Sequence, residues 1–158
     1  MISNEHTKKE NPIVSIIMPV YNAQEFLSEA IESVLNQTFT DWEMIIVDEP
    51  TTTDSTDDII RHYMESDERI RLIINEEKLG ISKSLNVALD ASRGTYIVRM
   101  DADDISLPNR LEEQVKYMER NPDVGISGCD YDVMGENWKS NLLINDEDIK
   151  SDLLFLFR

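Results

Sequence analysis

Cysteine is almost absent from this sequence, since Cys129 is the only one among 158 residues. It cannot form an internal disulfide or a cysteine-based zinc site, and we expect it to be a buried apolar residue. Long apolar runs are missing too. No segment approaches the roughly 18 residues of a membrane helix, and residues 1–12 lack the apolar core of a secretory signal. We expect a cytoplasmic protein, either free or peripheral to the inner face of the membrane.

Basic residues are scarce, with 15 Lys and Arg against 32 Asp and Glu, and the formal net charge is -17. Such a surface repels phosphate backbones on average, which argues against a nucleic-acid partner. The glycine motifs G-x-G-x-x-G and G-x-x-x-x-G-K-[ST] are also missing, so dinucleotide and P-loop triphosphate binding lack their fingerprints. A bound diphosphate would need a metal ion to hold it.

The overall composition is typical of a globular protein, because 41% of the residues are hydrophobic and 30% are charged. The length suits one domain with one core. We predict a polar leader over residues 1–12 and a single domain over residues 13–158. Because the chain stops on the apolar run SDLLFLFR, we expect this domain to continue beyond Arg158.

Apolar, β-branched runs alternate with amphipathic segments along the chain. The runs predict strands over residues 13–20, 42–47, 69–74, 95–100 and 123–129. The amphipathic segments predict helices from an Asn22 cap, from a Ser55 or Asp54 cap, over 81–92 and over 108–120. This alternation predicts an α/β fold with a mainly parallel central sheet and helices on both faces. After Cys129 the pattern weakens to a short hairpin and the start of a helix.

Acidic residues follow the fourth predicted strand in the segment DADD. Ligands of open α/β sheets bind beyond the carboxyl ends of the strands. Asp101 and Asp103 lie two residues apart in extended chain, so both carboxylates can face one ligand. Their oxygens favour Mg, Mn or Ca over Zn. The alternative is a solvated turn in which Asp103 or Asp104 caps the next helix.

Other polar residues at the predicted strand ends each allow two interpretations. Asp48 and Glu49 either accept hydrogen bonds from a nucleotide base or ribose, or neutralise a helix N-terminus. Tyr21, in a loop shaped by Pro19, either stacks on a base or covers the end of the sheet. Lys83, on a predicted helix, either contacts a phosphate or is an ordinary surface lysine.

Four motifs in order, PVYN, DEPTTTD, NEEKLGIS and DADD, resemble those of the nucleotide-binding half of the family 2 glycosyltransferases. The resemblance covers about residues 13–130. It implies a GT-A fold with a Rossmann-like nucleotide-binding domain and a nucleotide-sugar donor, with a UDP-sugar favoured. It also implies a saccharide or lipid-linked acceptor in polysaccharide biosynthesis.

The resemblance also assigns roles to residues at the strand ends. It places Pro19 and Tyr21 in the base pocket, Asp48 and Glu49 at the base or ribose, and Asp101 and Asp103 in the D-x-D motif that holds the donor diphosphate through Mg or Mn. The family's usual D-D-G-S-T-D reads DEPTTTD here, which makes this loop stiffer and leaves the nucleotide open. The implied mechanism is inversion by direct displacement, with a carboxylate as base, expected beyond Arg158.

Two other classes of function remain alternatives. One is a module that binds a nucleotide-sugar or a metal without catalysis. The other is a magnesium-dependent phosphohydrolase of the haloacid-dehalogenase type with Asp101 as nucleophile. The second is disfavoured because its motif normally follows the first strand of the sheet, whereas DADD follows the fourth.

Overall fold

The computed structural model describes residues 11–129 and 132, and its contacts divide the chain into two units, Met1–Val115 and Lys116–Arg158. The first unit contains a parallel sheet of four strands, β1 (Val14–Val20), β2 (Trp42–Asp48), β3 (Ile70–Ile74) and β4 (Tyr96–Arg99). The helices are α1 (Leu27–Leu35), α2 (Thr56–Ser66), α3 (Ile81–Ala91) and α4 (Arg110–Arg120), and the division falls within α4. The predicted alternation of parallel strands and helices is confirmed.

The strand order is β3-β2-β1-β4. The chain moves outward from β1 through β2 to β3, and it then returns to the far side of β1, where Val14 pairs with Tyr96 and Ile17 with Arg99. The order therefore reverses between β1 and β4. In open α/β sheets the loops diverge at such a point and leave a crevice at the carboxyl ends of the strands.

Helices cover both faces of the sheet, as the continuous apolar runs of β1 and β2 predict. On one face the strands pack with α1, α2 and the start of α4, and the buried side chains there include Ile16, Met18, Leu27, Ile31 and Ile60. On the other face α3 packs through Ala88 against Ile17, Ile45 and Val47. This two-sided core holds the strand ends in fixed positions.

The amino ends of the strands are joined by a buried glutamate. Glu43 is 2% exposed, and its carboxylate accepts hydrogen bonds from Ser15 Oγ at 2.8 Å, Arg93 Nε at 2.9 Å and Arg71 NH1 at 3.1 Å. Burial opposes ionisation, but the hydrogen bonds from Arg93 and Ser15 and the positive charge of Arg93 outweigh it, so the pKa of Glu43 lies below its usual value. Gly94 completes this end, because its N–H donates to Ser15 Oγ at 2.8 Å.

The predicted cap of the first helix is wrong. Asn22 has a left-handed backbone with φ 49°, and its Oδ1 accepts a hydrogen bond from Thr53 N–H at 2.9 Å. α1 begins at Leu27, and Phe26 just before it is 47% exposed. The second helix begins after Ser55, as predicted.

The predicted fifth strand is also wrong, since residues 123–129 form neither strand nor helix. Ile126 is 91% exposed, so the burial that stabilises β-branched residues in a strand is missing there. Cys129 is exposed rather than buried. The hairpin and helix predicted after Cys129, and residues 1–10 of the leader, lie outside the described residues. None of the described helices is long and apolar enough to cross a membrane.

Candidate functional site

A cavity of about 610 Å³ lies at the carboxyl ends of β1 and β4, where the strand order reverses. Its walls come from the end of β1 and the following loop (residues 19–23 and 26), from Glu49 after β2, from the start of α3 (78, 80, 81 and 84), and from residues 101–103 after β4. Five of the predicted site residues therefore line one cavity, namely Pro19, Tyr21, Glu49, Asp101 and Asp103. Asp48 and Lys83 are not among its lining residues.

Hydrogen bonds join the loop after β1 to the loop after β2, and we call this set the loop clamp. It consists of Ala23 N–H to Thr56 Oγ1 (2.8 Å), Gln24 N–H to Asp54 Oδ2 (3.1 Å), Thr53 N–H to Asn22 Oδ1 (2.9 Å) and Ser55 N–H to Gln24 Oε1 (3.1 Å). Desolvation opposes ionisation of Asp54, but the Thr56 and Gln24 donors outweigh it and the pKa of Asp54 is lowered. The clamp fixes the loop that follows Tyr21.

Tyr21 presents its ring to the cavity and is 47% exposed. Lys78 Nζ lies 4.7 Å from the centroid of this ring, a cation–π distance. Lys83 is exposed on α3, so the lysine in the cavity wall is Lys78. Sequence reasoning missed Lys78, although it belongs to the segment NEEKLGIS that follows β3. A lysine two residues before Gly80 was the available signal.

Glu49 lines the cavity, but three donors already hold its carboxylate. Leu79 N–H donates at 3.0 Å, Gly80 N–H at 2.7 Å and Ser84 Oγ at 3.1 Å. Burial would raise the pKa of Glu49, but these hydrogen bonds outweigh burial and the pKa lies below its usual value. Gly80 is the N-cap of α3 and has φ 76°, a conformation that favours glycine. Glu49 thus satisfies a helix N-terminus, one of its two predicted roles, and the helix is α3, whose N-cap lies 31 residues further along the chain.

Asp48 lies behind the cavity wall and is 3% exposed. Its Oδ1 accepts hydrogen bonds from Glu49 N–H at 2.8 Å and from Thr52 Oγ1 at 2.6 Å, so it shapes the turn after β2. Burial raises the pKa of Asp48 in spite of these donors, and the negative charges of Asp57 and Asp54 add to the rise.

The D-x-D carboxylates belong to the part of the cavity wall that follows β4. Asp101 accepts hydrogen bonds from Arg99 on both of its oxygens, whereas Asp103 is an exposed residue of the cavity lining. Burial first, and then the negative charges of Asp101 and Asp103, raise the pKa of the neighbouring Asp104. The negative charges of these three aspartates therefore repel one another.

The side chains that could act as metal ligands decide what kind of metal site the cavity could provide. Within residues 11–129 and 132 there is no group of three or more His, Cys, Asp or Glu that could hold a metal ion. A pair of carboxylates does fit Mg²⁺, which is commonly bound by one or two carboxylates together with substrate phosphates. Asp101 and Asp103 therefore fit a divalent cation that a diphosphate helps to hold, and they do not fit an all-protein metal site.

Curated proteins with similar sequences include several glycosyltransferases. An uncharacterized glycosyltransferase of Methanocaldococcus jannaschii is 46% identical over 118 residues, which are 74% of this chain and 41% of that protein. The Escherichia coli UDP-Glc:alpha-D-GlcNAc-diphosphoundecaprenol beta-1,3-glucosyltransferase WfgD is 38% identical over 126 residues, 79% of this chain and 48% of WfgD. The chain thus spans less than half the length of these relatives.

Solved GT-A structures match the fold. Staphylococcus aureus TarS 1-349 in complex with UDP has a TM-score of 0.64 and 26% identity, over 69% of this chain and 32% of that one. The Pyrobaculum calidifontis mannosyltransferase PcManGT in complex with GDP-Man and Mn²⁺ has a TM-score of 0.63 and 27% identity, over 70% of this chain and 33% of that one.

The family assignment rests on most of the chain. Residues 15–155 match the family model described as Glycosyl transferase family 2. This match, the curated relatives and the solved structures agree with the parallel sheet of the fold. The chain belongs to glycosyl transferase family 2.

Proposed function

We propose that this chain forms the donor-binding part of an inverting glycosyltransferase, which moves a sugar from a nucleotide-sugar to an acceptor hydroxyl. The observation that carries the proposal is that Tyr21, Asp101 and Asp103 meet in one cavity at the strand reversal. An exposed aromatic ring on one wall and a pair of carboxylates on another suit the two ends of a nucleoside diphosphate. Similar chains bind UDP or GDP-Man, which supports a nucleotide-sugar donor.

In this proposal the base stacks on Tyr21 beside Pro19. Glu49 is proposed to contact the base or ribose, because it is the member of the Asp48–Glu49 pair that lines the cavity. Asp48 supports that contact from behind through the turn that it shapes. Lys78 is better placed than Lys83 to face a donor phosphate, because Lys78 lines the cavity. We favour a UDP-sugar, as in the name of WfgD.

The D-x-D carboxylates hold the diphosphate end. Asp101 and Asp103 would bind Mg or Mn together with the donor, and the Mn²⁺ in PcManGT supports a divalent cation. Such a cation supplies positive charge that stabilises the departing nucleoside diphosphate. The chain's own residues orient the donor so that its anomeric carbon faces the acceptor hydroxyl. We assign the base that deprotonates this hydroxyl to no residue of the described part.

The acceptor is proposed to be a saccharide, either free or lipid-linked. WfgD is named for an acceptor linked to diphosphoundecaprenol, which supports a lipid-linked acceptor. An enzyme that uses such an acceptor would work beside the inner face of the membrane. Assembly of a cell-surface polysaccharide is the pathway class that this chemistry serves.

Calorimetric titration of UDP with and without Mn²⁺ tests the donor site directly, with GDP as the comparison nucleotide. We expect Mn²⁺-dependent binding of UDP that Asp103→Ala abolishes. Asp90→Ala is the matched control, because it removes one exposed carboxylate on α3 outside the cavity lining and should leave binding unchanged. Equal binding by both variants would contradict the assignment of Asp103.

Activity measurements separate the alternatives. Release of UDP from a UDP-sugar only when a saccharide acceptor is present would support transfer. Tight UDP binding without transfer, in this chain and in a longer gene product, would instead support a binding-only module. A phosphoryl group trapped on Asp101 would favour the phosphohydrolase.

A further inference from the structure

Arg99 places a positive charge directly on the first aspartate of the D-x-D motif. Its Nε donates to Asp101 Oδ1 at 3.1 Å, and its NH2 donates to Oδ1 and Oδ2, both at 3.0 Å. The guanidinium therefore engages both carboxylate oxygens, the same atoms that a divalent cation would need. The two side chains are 54% and 40% exposed, so water reaches the pair.

The backbone at Arg99 is anchored, whereas its side chain is not. Arg99 pairs with Ile17 in the sheet, the next residue's N–H donates to Ile17 O at 3.1 Å, and the Arg99 carbonyl accepts a hydrogen bond from Arg110 NH2 at 3.2 Å. Within the described part of the chain, the guanidinium donates hydrogen bonds only to Asp101. An exposed ion pair of this kind contributes little free energy, so the guanidinium can leave Asp101 without disturbing β4.

The surrounding charge explains why a cation is needed at Asp101 at all. Asp103 and Asp104 follow within three residues, and the negative charges of Asp101 and Asp103 act on Asp104 more strongly than the positive charges of Arg110 and Arg99. Repulsion among these carboxylates favours any positive group that can sit on them. Arg99 is such a group, and it belongs to the chain itself.

We propose that Arg99 is a resident counter-cation of Asp101, which a divalent cation must displace before it can bind. Arg99 thereby weakens the affinity of the donor-free chain for Mg²⁺ or Mn²⁺. This inference rests on the proposed function, because it concerns the same D-x-D site. Its consequence is that the cation binds well only when the donor diphosphate supplies further oxygen ligands.

The test compares Mn²⁺ affinity without nucleotide, measured by electron paramagnetic resonance of free Mn²⁺, in Arg99→Met and Arg61→Met. Both variants remove one positive charge from a partly exposed ion pair, since Arg61 and Asp57 are 55% and 38% exposed. The difference between them isolates the direct competition from the change in net charge. We expect Arg99→Met to bind Mn²⁺ about two- to fivefold more tightly than Arg61→Met, the range that an exposed pair allows.

A second measurement follows the displacement itself in the wild-type chain. The Nε–Hε cross-peak of Arg99, identified by its loss in Arg99→Met, should shift when Mg²⁺ and UDP are added, while that of Arg61 should not. Thermal unfolding of both variants checks that they are folded. A Mn²⁺ affinity of Arg99→Met that equals or falls below that of Arg61→Met would overturn the inference.

The outcomes distinguish this inference from the proposed function. A wild-type chain that binds UDP with Mn²⁺, combined with no gain in Arg99→Met, overturns only the role of Arg99. A wild-type chain that binds neither Mn²⁺ nor UDP contradicts the donor site, and the inference fails with it.

Discussion

Glu43 and Glu49 lie at opposite ends of β2, and both are buried. Their negative charges are balanced by different groups. At the amino end Glu43 meets two arginines and a serine hydroxyl. At the carboxyl end Glu49 meets the backbone N–H groups of Leu79 and Gly80. Both pKa values are lowered, so both glutamates are stabilised as anions.

The D-x-D carboxylates lie at the same end of the sheet as Glu49, but among the residues that the structure describes they are not surrounded by buried hydrogen-bond donors. Asp103 is exposed and Asp101 has one flexible arginine, while the pKa of Asp104 is raised rather than lowered. Exposed carboxylates in a cavity wall are available to a ligand, whereas the buried Glu43 and Glu49 are already paired with donors of the chain. The comparison teaches that the charges at the amino end of this sheet stabilise the fold. The carboxylates of the D-x-D wall are instead available to a ligand.

The largest loss of stability should come from adding a side chain at Gly94, which lies at the amino ends of the strands. A Cβ at Gly94 would lie 2.5 Å from Ser15 N and 2.7 Å from Val14 C, both backbone atoms of β1. We expect Gly94→Ala to lower the free energy of unfolding by about 3 kcal/mol, measured by urea unfolding. Gly125→Ala is the control, because no atom lies within 4 Å of its Cβ position. Equal losses in the two variants would show that the amino end is not tightly built.

The second largest loss of stability should come from removing the charge of Glu43, at the same end of the sheet. Glu43→Gln removes the anion that Arg71 and Arg93 share, and we expect a loss of about 2 kcal/mol in the free energy of unfolding at neutral pH. Glu25→Gln, an exposed glutamate, should change stability by less than about 0.5 kcal/mol. If Glu43→Gln is equally neutral, the contrast between the two ends is lost.

The same glutamate predicts a dependence on pH. The pKa of Glu43 is lower in the folded chain than its ordinary value of 4.5, so the unfolded chain takes up the proton first as the pH falls. Its contribution to stability is present above pH 4.5 and is lost as the pH falls through the lowered pKa. Urea unfolding between neutral and acid pH should give a weaker slope for Glu43→Gln than for the wild type. An unchanged slope would assign the acid sensitivity to other carboxylates.

Glu49→Gln should have a smaller effect. One of its two carboxylate oxygens becomes an amide nitrogen, a donor that faces the N–H of Leu79 or Gly80. We expect a loss of about 1 kcal/mol in the free energy of unfolding, similar to the loss of a helix cap. Urea unfolding measures this loss, and UDP titration of the same variant shows whether Glu49 also contacts the donor. No loss of stability would mean that the carboxylate is not needed to cap α3.

The smallest change in stability should come from the D-x-D wall. Asp103→Asn removes a repelling charge from an exposed residue, so we expect the free energy of unfolding to change by less than about 0.5 kcal/mol. Mn²⁺-dependent UDP binding should nevertheless be lost. Stability and binding measured on one preparation give both results. A strong destabilisation would place Asp103 with the structural acids and break the comparison.

The strands of this fold could be predicted from the sequence, because their apolar runs depend on local burial. The predicted strands over 13–20, 42–47, 69–74 and 95–100 agree closely with β1 to β4. The start of α1 could not be predicted, because Asn22 bonds to a residue 31 positions away. A tertiary contact of this kind overrides a local cap preference. Residues 123–129 carry the strand pattern without the burial that would make it a strand.

The site was partly predictable for the same reason. Pro19 lies near the end of β1, and Tyr21, Asp101 and Asp103 come just after strand ends, so the strand pattern places all four near the cavity. The role of Glu49 depends on partners 30 and 31 residues further along the chain. The choice of Lys78 over Lys83 as the cavity-lining lysine depends on how the chain turns into α3, which a sequence motif does not fix.

The loop clamp has a consequence for protein engineering. Side chains of one loop satisfy backbone groups of the other in both directions, through Asn22 and Gln24 on one side and Asp54 and Thr56 on the other. Replacing one loop alone would leave the other with donors that have lost their acceptors. An attempt to exchange the nucleotide preference by loop transplantation should therefore move both loops as a matched pair.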